Sequence, residues 1–276
     1  MMTIGIMQGR LTPPPPGRPQ AFPHDWRQDY ADAARLGFAC VEWLVTSDSI
    51  PGNPVLTPLG RAEIDRVVQA TGVPVMSINA DCFVTAPLLR ATTERRQQNG
   101  ALLRQLVDAA AELRARLVLP VLEEGAMRTV EDQHLVLALM QDALTRAEDS
   151  GVPVAVECDA AGVALRRWLD ESMCGMLGAC YDIGNAAAMG ADAPSDLRAL
   201  GSRLLHVHAK DRRRDGVSVP LGHGDADFDA VCATLHELKY EGALILETPR
   251  GNDACADAAA NLATLRAYVT RSGMAA

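Results

Sequence analysis

The sequence predicts an α/β fold, a single (β/α)8 TIM barrel that occupies residues 1–276. Short apolar runs of strand length alternate along the chain with longer amphipathic segments. Eight such runs are present, and dividing 276 residues among eight units leaves about 34 residues for each, the length of a βα repeat. Hydrophobic residues make up 48% of the chain, which is enough to fill a large core.

The eight predicted strands are apolar at consecutive positions, which suits strands buried on both faces of a parallel sheet. In chain order they are Thr3–Met7, Ala39–Val45, Val73–Ile78, Leu117–Leu122, Val152–Val156, Gly178–Tyr181, Leu204–Val207 and Ala243–Leu246. An open doubly wound sheet is the alternative, but the loop after the first strand lacks a glycine-rich nucleotide fingerprint. This loop instead contains four prolines, Pro13–Pro16, which predict a stiff segment over the rim of the barrel.

Amphipathic segments between the strands predict the helices. The clearest are Glu94–Arg114, Glu131–Asp149, Asp227–Leu238 and Asn261–Val269. Four glycines stand between a predicted helix and the next strand, namely Gly37, Gly72, Gly151 and Gly242. A glycine in this place predicts a helix that ends in a left-handed residue.

Charge and cysteine content limit the partners and the location of the protein. The formal net charge of -9 argues against nucleic acid, since a phosphate backbone binds basic surfaces. No apolar run approaches the roughly 18 residues needed to span a membrane. The seven cysteines form no CxxC pair and the amino terminus does not resemble a signal peptide, so we expect reduced thiols and a cytoplasmic protein. These features are compatible with a homo-oligomer.

Acidic residues and one histidine stand at the ends of the last four predicted strands. They are Glu157, Asp182, His208 and Glu247. Barrel enzymes place their chemistry at the carboxyl ends of the strands, so we expect these side chains to converge. Three carboxylates and an imidazole suit one divalent metal ion; Mn²⁺ is favoured, Mg²⁺ and Co²⁺ are compatible, and Zn²⁺ is less natural.

Seven motifs spread over the whole chain resemble the xylose-isomerase-like TIM-barrel superfamily. They are IGIMQGRL, LGFACVEW, VECD, YDIGN, HVHAKDR, VPLGHGDADF and ALILETPR. The resemblance is to the sugar phosphate isomerase/epimerase branch, which includes tagatose 3-epimerase and hydroxypyruvate isomerase. It implies that the four strand-end residues bind the metal and that Glu157 and Glu247 move protons. His208 is expected to be the ligand of its strand and His206 to point away from it.

The resemblance implies a divalent-metal-dependent isomerase or epimerase of a small sugar, sugar acid or sugar phosphate, acting through a metal-stabilised enediolate. A metal-dependent lyase acting on an oxidised sugar or glycoside remains an alternative, because it can use the same enediolate chemistry. An endonuclease IV-like phosphodiesterase is disfavoured, since its metal site requires more histidines than a chain with six in total offers. A non-catalytic barrel is a further alternative.

Other polar residues near the predicted strand ends are candidates for substrate binding. They are Gln8, Arg10, Glu42, Asp81, Asn185, Lys210, Arg212 and Arg250. The four basic side chains predict an anionic or oxidised carbohydrate, because guanidinium groups bind carboxylates and phosphates. For Glu42 and Lys210 an ion pair within the protein is an equally good interpretation. Asn185 stands where many ketose 3-epimerases have a substrate-binding histidine, which weakens the case for a ketohexose substrate.

Overall fold

Eight parallel strands close into a barrel in the computed structural model, which describes residues 2–18, 20–122, 127 and 129–275. The strands are β1 Thr3–Met7, β2 Cys40–Leu44, β3 Val75–Asn79, β4 Arg116–Pro120, β5 Val154–Glu157, β6 Leu177–Asp182, β7 Leu204–Ala209 and β10 Ala243–Leu246. Closure is direct, since β1 pairs with both β10 and β2. The predicted (β/α)8 barrel is therefore confirmed; the assignment of all 276 residues to one domain stays a prediction.

Two short strands outside the barrel form a hairpin after β7. They are β8 Asp211–Arg212 and β9 Ser218–Val219, which pair antiparallel. The sequence did not predict this hairpin, because two-residue strands carry no periodic signal. It stands at the same end of the barrel as the candidate site, since it directly follows the carboxyl end of β7.

Helices follow the strands and cover the barrel. They are α1 Trp26–Leu36, α2 Pro58–Thr71, α3 Cys82–Thr85, α4 Thr93–Leu113, α5 Val130–Ser150, α6 Gly162–Glu171, α7 Ile183–Met189, α8 Ala193–Leu200, α9 Phe228–Glu237 and α10 Ala254–Arg271. The four predicted helices are all present, although the last begins earlier than expected. Within the described ranges, no helix is long and apolar enough to cross a membrane.

Three of the four predicted glycine helix ends are confirmed. Gly37, Gly72 and Gly151 follow α1, α2 and α5 with φ of 82°, 74° and 69°. The prediction for Gly242 was wrong, because α9 ends at Glu237 and Lys239 takes the left-handed conformation, with φ of 52°. Gly242 is needed for a different reason: a Cβ there would lie 2.2 Å from the hydroxyl oxygen of Tyr240.

The main apolar core lies between the barrel and its helices, whereas the barrel interior combines small apolar clusters with polar residues. Two small apolar clusters are separate from that core: Met7, Cys40, Leu44, Ala243 and Ile245, and Val118, Ala155 and Cys180. Strands alternate faces, so Ala155 shares the inward face with Glu157, and Cys180 shares it with Asp182. The rest of the interior is polar, and this polar part carries the candidate site.

Candidate active site

The carboxyl ends of four strands bring the predicted metal ligands together. Glu157 ends β5, Asp182 ends β6, His208 lies in β7 and Glu247 directly follows β10, and these strands are neighbours in the barrel. All four side chains are buried. Nδ1 of His208 lies 3.5 Å from Oε2 of Glu157 and 3.3 Å from Oε2 of Glu247. The sequence thus placed these residues in one cluster correctly; their function as ligands stays a proposal.

The two carboxylate oxygens of Asp182 have different surroundings. Oδ1 accepts the backbone N–H of Asn185 at 2.8 Å and so caps α7. Oδ2 is buried and accepts no hydrogen bond from any described residue; its contact is an ion pair with Lys210 at 3.4 Å. A buried carboxylate oxygen without a hydrogen bond is costly, so Oδ2 has the character of a metal ligand.

These residues fit a divalent metal ion. One ligand atom each from Asp182, His208 and Glu247 can be chosen so that all three lie within 4.8 Å of one another. A cation bonded at about 2.1–2.4 Å to each ligand keeps any two of them within about 4.8 Å. Glu157 also approaches Nδ1 of His208, and it forms a second candidate ligand group with Cys180 and His208.

Glu42 holds the ring of His208 in place. Its Oε1 lies 2.9 Å from Nε2 of His208, while Ser77 and Asn79 also donate to the carboxylate. A carboxylate at Nε2 favours the tautomer protonated there, which leaves the lone pair of Nδ1 directed at Glu157 and Glu247. Of the two interpretations of Glu42, a substrate contact or an ion pair within the protein, its 0% exposure and its internal polar contacts favour the second.

The expectation that His206 points away from His208 was wrong. Side chains two residues apart in a strand share a face, and both rings lie inside the barrel, with centroids 5.2 Å apart. Nε2 of His206 lies 2.7 Å from Oε2 of Glu42, so one carboxylate faces two imidazoles. The two-residue period of a strand is therefore the sequence signal that places His206 on the same face as His208.

Glu247 is surrounded by donors. Its Oε1 lies 2.8 Å from Nζ of Lys210, 3.3 Å from Nη2 of Arg10 and 3.2 Å from Nε2 of Gln20. Burial alone would raise the pKa of Glu247, but Lys210, His208 and Arg10 together lower it below its usual value. Gln20 was missed in the sequence because it lies in the long loop after β1. The position of the proline run over the rim stays a prediction.

Asn185 links Arg212 to Glu157. Its Oδ1 accepts from Nη1 of Arg212 at 2.7 Å, and its Nδ2 donates to Oε1 of Glu157 at 3.0 Å. An amide is the group that can join a donor to an acceptor in this way. Substrate binding by Asn185 and Arg212 stays a prediction; in the structure the two side chains form a hydrogen-bonded chain to the carboxylate of Glu157. Nε and Nη2 of Arg212 also donate to the backbone oxygen of Gly216.

Three further candidates lie around this cluster. Gln8 is buried and its Oε1 accepts the backbone N–H of Leu44 at 3.1 Å. Nε of Arg250 donates to the backbone oxygen of Thr12 at 2.8 Å. Asp81 precedes α3, and the charges of Glu247 and Glu157 act on its carboxyl group. Several of the predicted substrate-binding residues, Gln8, Lys210, Arg212 and Arg250 among them, thus already make hydrogen bonds to protein groups.

Crowding of carboxylates changes their protonation. Burial, followed by the charges of Glu247 and Glu157, raises the pKa of Asp81 to about 6. Burial also raises the pKa of Asp182 to about 6, against the opposing effect of Lys210. Both groups therefore bind protons more readily than ordinary aspartates. A metal ion bound at this site would compete with those protons.

A comparison with protein families now identifies the fold family. A model described as xylose isomerase-like TIM barrel matches residues 30–268. The chain belongs to the xylose isomerase-like TIM barrel family. The resemblance inferred from the motifs is thus confirmed.

Comparisons with individual proteins give more detail. The chain is 33% identical over 120 residues to SgbU of Escherichia coli (strain K12), named a putative L-ribulose-5-phosphate 3-epimerase. That match covers 38% of this chain and 41% of SgbU, less than half of either protein. Two solved structures share the fold. YcjR from E. coli, a 3-keto-D-glucoside 4-epimerase, has a TM-score of 0.75 at 20% identity and covers 97% of this chain and 100% of its own. The IolI protein, solved with a zinc atom, has a TM-score of 0.76 at 15% identity over 98% of this chain and 99% of its own.

Proposed function

We propose that this protein is a divalent-metal-dependent epimerase or isomerase of a small carbohydrate. The observation that carries the proposal is the convergence of Asp182, His208 and Glu247 within 4.8 Å at the carboxyl end of the barrel, with Oδ2 of Asp182 lacking a hydrogen bond. The partial match to SgbU and the fold shared with YcjR support a carbohydrate substrate. A cavity of about 210 Å³ adjoins Glu157, Asp182 and Asn185.

Each residue of the site has a separate function in the proposed reaction. Asp182, His208 and Glu247 would hold a divalent ion, which would supply the Lewis acidity that lowers the pKa of a substrate C–H group next to a carbonyl. Glu157 would take the proton from the substrate carbon and later release it to solvent, and Glu247, after gaining a proton from solvent, would return it to the opposite face of that carbon. Asn185 keeps Glu157 in orientation through its 3.0 Å hydrogen bond. Asp182 and His208 serve as anchoring ligands.

Metal identity and substrate charge are part of the proposal. The oxygen-rich ligand set favours Mn²⁺ over Zn²⁺. Arg10, Lys210, Arg212 and Arg250 favour an acidic or phosphorylated sugar, but each already contacts protein acceptors. An anionic substrate would have to compete with those contacts, so neutral ketohexoses form the second arm of the test.

The test uses Mn²⁺-loaded protein incubated in D₂O with ketoses, sugar acids and their phosphates. NMR should show deuterium at one substrate carbon and the appearance of the epimer or isomer. An elimination product would instead favour the lyase.

The Asp182→Ala variant should lose both metal and activity. Asp192→Ala is the matched control, because Asp192 also caps a helix, accepting from the backbone N–H of Ser195, yet lies away from the cluster. Equal metal content in both variants would refute the proposed centre.

A further inference from the structure

Lys210 contacts the same carboxylates that are proposed to bind the metal. Its Nζ lies 2.8 Å from Oε1 of Glu247 and 3.4 Å from Oδ2 of Asp182. The side chain is 16% exposed, so this ammonium is largely removed from water. The oxygen of Asp182 that it approaches is the one without a hydrogen bond. The positive charge of Lys210 therefore lies close to two of the proposed ligands.

Packing directs Lys210 to this position. Its stem crosses Gly184, in the turn where β6 enters α7. A Cβ on Gly184 would lie 2.9 Å from Cγ of Lys210 and 3.0 Å from its backbone carbonyl carbon, closer than side chains normally approach. The glycine thus keeps open the path along which the lysine reaches Asp182 and Glu247.

We propose that Lys210 is a built-in competitor of the metal ion, an ammonium that a divalent cation must displace from Asp182 in order to bind. The inference rests on the proposed function, because it presupposes the metal centre. Two cations attracted by the same carboxylate repel each other at short range, and partial burial strengthens that repulsion. Lys210 therefore sets the affinity of the site for metal.

The first experiment measures Mn²⁺ affinity from the EPR signal of the free ion. Lys210→Met removes the charge and keeps a chain of similar length, so its Kd should fall at least about tenfold. Lys210→Arg keeps the charge and should stay within about threefold of the unaltered protein. Lys239→Met is the matched control, since Lys239 is exposed and is the other lysine of the chain. An unchanged or higher Kd for Lys210→Met overturns the inference.

The second experiment needs no variant and covers the case in which Lys210→Met fails to fold. The chain has two lysines, so ¹⁵N-lysine labelling gives two ammonium resonances. Titration with Zn²⁺ alone, which is diamagnetic, should shift the Lys210 signal in step with metal binding and leave the Lys239 signal in place. A static Lys210 signal at saturating Zn²⁺ overturns the inference while the metal centre survives. If neither the unaltered protein nor Lys210→Met binds metal, the inference and the metal centre both fail.

Discussion

Glu42 makes its contribution through His208. Glu42→Gln keeps the size of the side chain but loses the charge and one acceptor, so the ring of His208 is less firmly held. Partners of this kind typically contribute 10–100-fold to metal affinity. We therefore expect Mn²⁺ affinity to fall by about that factor while the fold is retained, as measured by calorimetry and circular dichroism.

Ser77→Ala is the control for this prediction. Ser77 donates to Oε2 of Glu42 at 2.6 Å, and the contact of Glu42 with His208 is made by the other oxygen. Its loss should change metal affinity by less than about threefold. If Ser77→Ala weakens metal binding as strongly as Glu42→Gln, the effect belongs to the packing of the barrel interior and not to the orientation of His208.

Glu157 and Glu247 are predicted to move protons, and glutamine is the informative replacement because it keeps the size and removes the base. General acid–base help is typically worth 10²–10⁴-fold, so each variant should lose at least 100-fold in turnover. Metal should remain in part, since an amide oxygen can still ligate. Glu171→Gln, on the exposed face of α6, should keep full activity. Near-full activity in both Glu157→Gln and Glu247→Gln would place the chemistry on other residues.

The sequence predicted the residues of the cluster better than their contacts. Glu157, Asp182 and Glu247 could be found because a polar residue at the end of an apolar run is conspicuous, and parallel strands bring their ends together. The contact of Gln20 with Glu247 depends on the path of a long proline-containing loop, which no periodicity encodes. The Arg212–Asn185–Glu157 chain depends on side-chain orientation, which the sequence leaves open.

At the scale of elements, Asp211 organises the connection from the β8–β9 hairpin to α9. Its carboxylate is 0% exposed and accepts the backbone N–H groups of Gly222, Gly224 and Ala226. A Cβ at Gly224 would lie 2.1 Å from Oδ1 of Asp211, so the loop closes tightly around this side chain. The motif PLGHGDADF is thereby explained as a structural loop.

Asp211→Asn should destabilise the protein. The amide places an N–H₂ group against backbone donors, which leaves buried polar groups unpaired at a cost of about 1–3 kcal/mol. Urea unfolding should show this loss in the free energy of unfolding. Asp215→Asn is the control, because Asp215 is exposed in the same hairpin and should change stability by less than about 0.5 kcal/mol. A loss confined to Asp215→Asn would contradict the account of the loop.

At the scale of the whole molecule, strands and helices followed from pattern, whereas the barrel interior did not. The residue types along the chain reveal the alternation of strand and helix, with glycine at helix ends. This alternation predicts the closed barrel. The interior holds Glu42, His206 and His208 with no exposed surface, and such residues are buried only when partners satisfy them. Those partners come from distant strands, so the network becomes visible only once register is known.

Buried ionisable groups also make the stability of the whole fold depend on pH, and Asp29 provides a clear case. This residue of α1 is 1% exposed, and its Oδ2 accepts the backbone N–H of Gly9 at 2.6 Å. Burial raises the pKa of Asp29 to about 7, although the bond from Gly9 opposes the rise. Between pH 4 and 7 the folded protein therefore holds a proton that the unfolded chain releases.

The sign of the effect follows from this linkage. Stability from Asp29 is fully present below about pH 4, falls as the pH rises towards 7 and is lost above it, with an upper limit of roughly 4 kcal/mol. The amide in the Asp29→Asn variant cannot ionise. The free energy of unfolding of this variant minus that of the unaltered protein should therefore increase by at least about 1 kcal/mol from pH 5 to pH 8. Urea unfolding with a chelator present removes any contribution from metal.

Asp32→Asn on the same helix is the control. The pKa of Asp32 is lowered, since its bonds to Gln28 and Arg35 outweigh burial, so that variant should show no gain in stability at alkaline pH. If the difference between Asp29→Asn and the unaltered protein is the same at pH 5 and pH 8, Asp29 is ionised throughout and the packing around Gly9 must accommodate its charge.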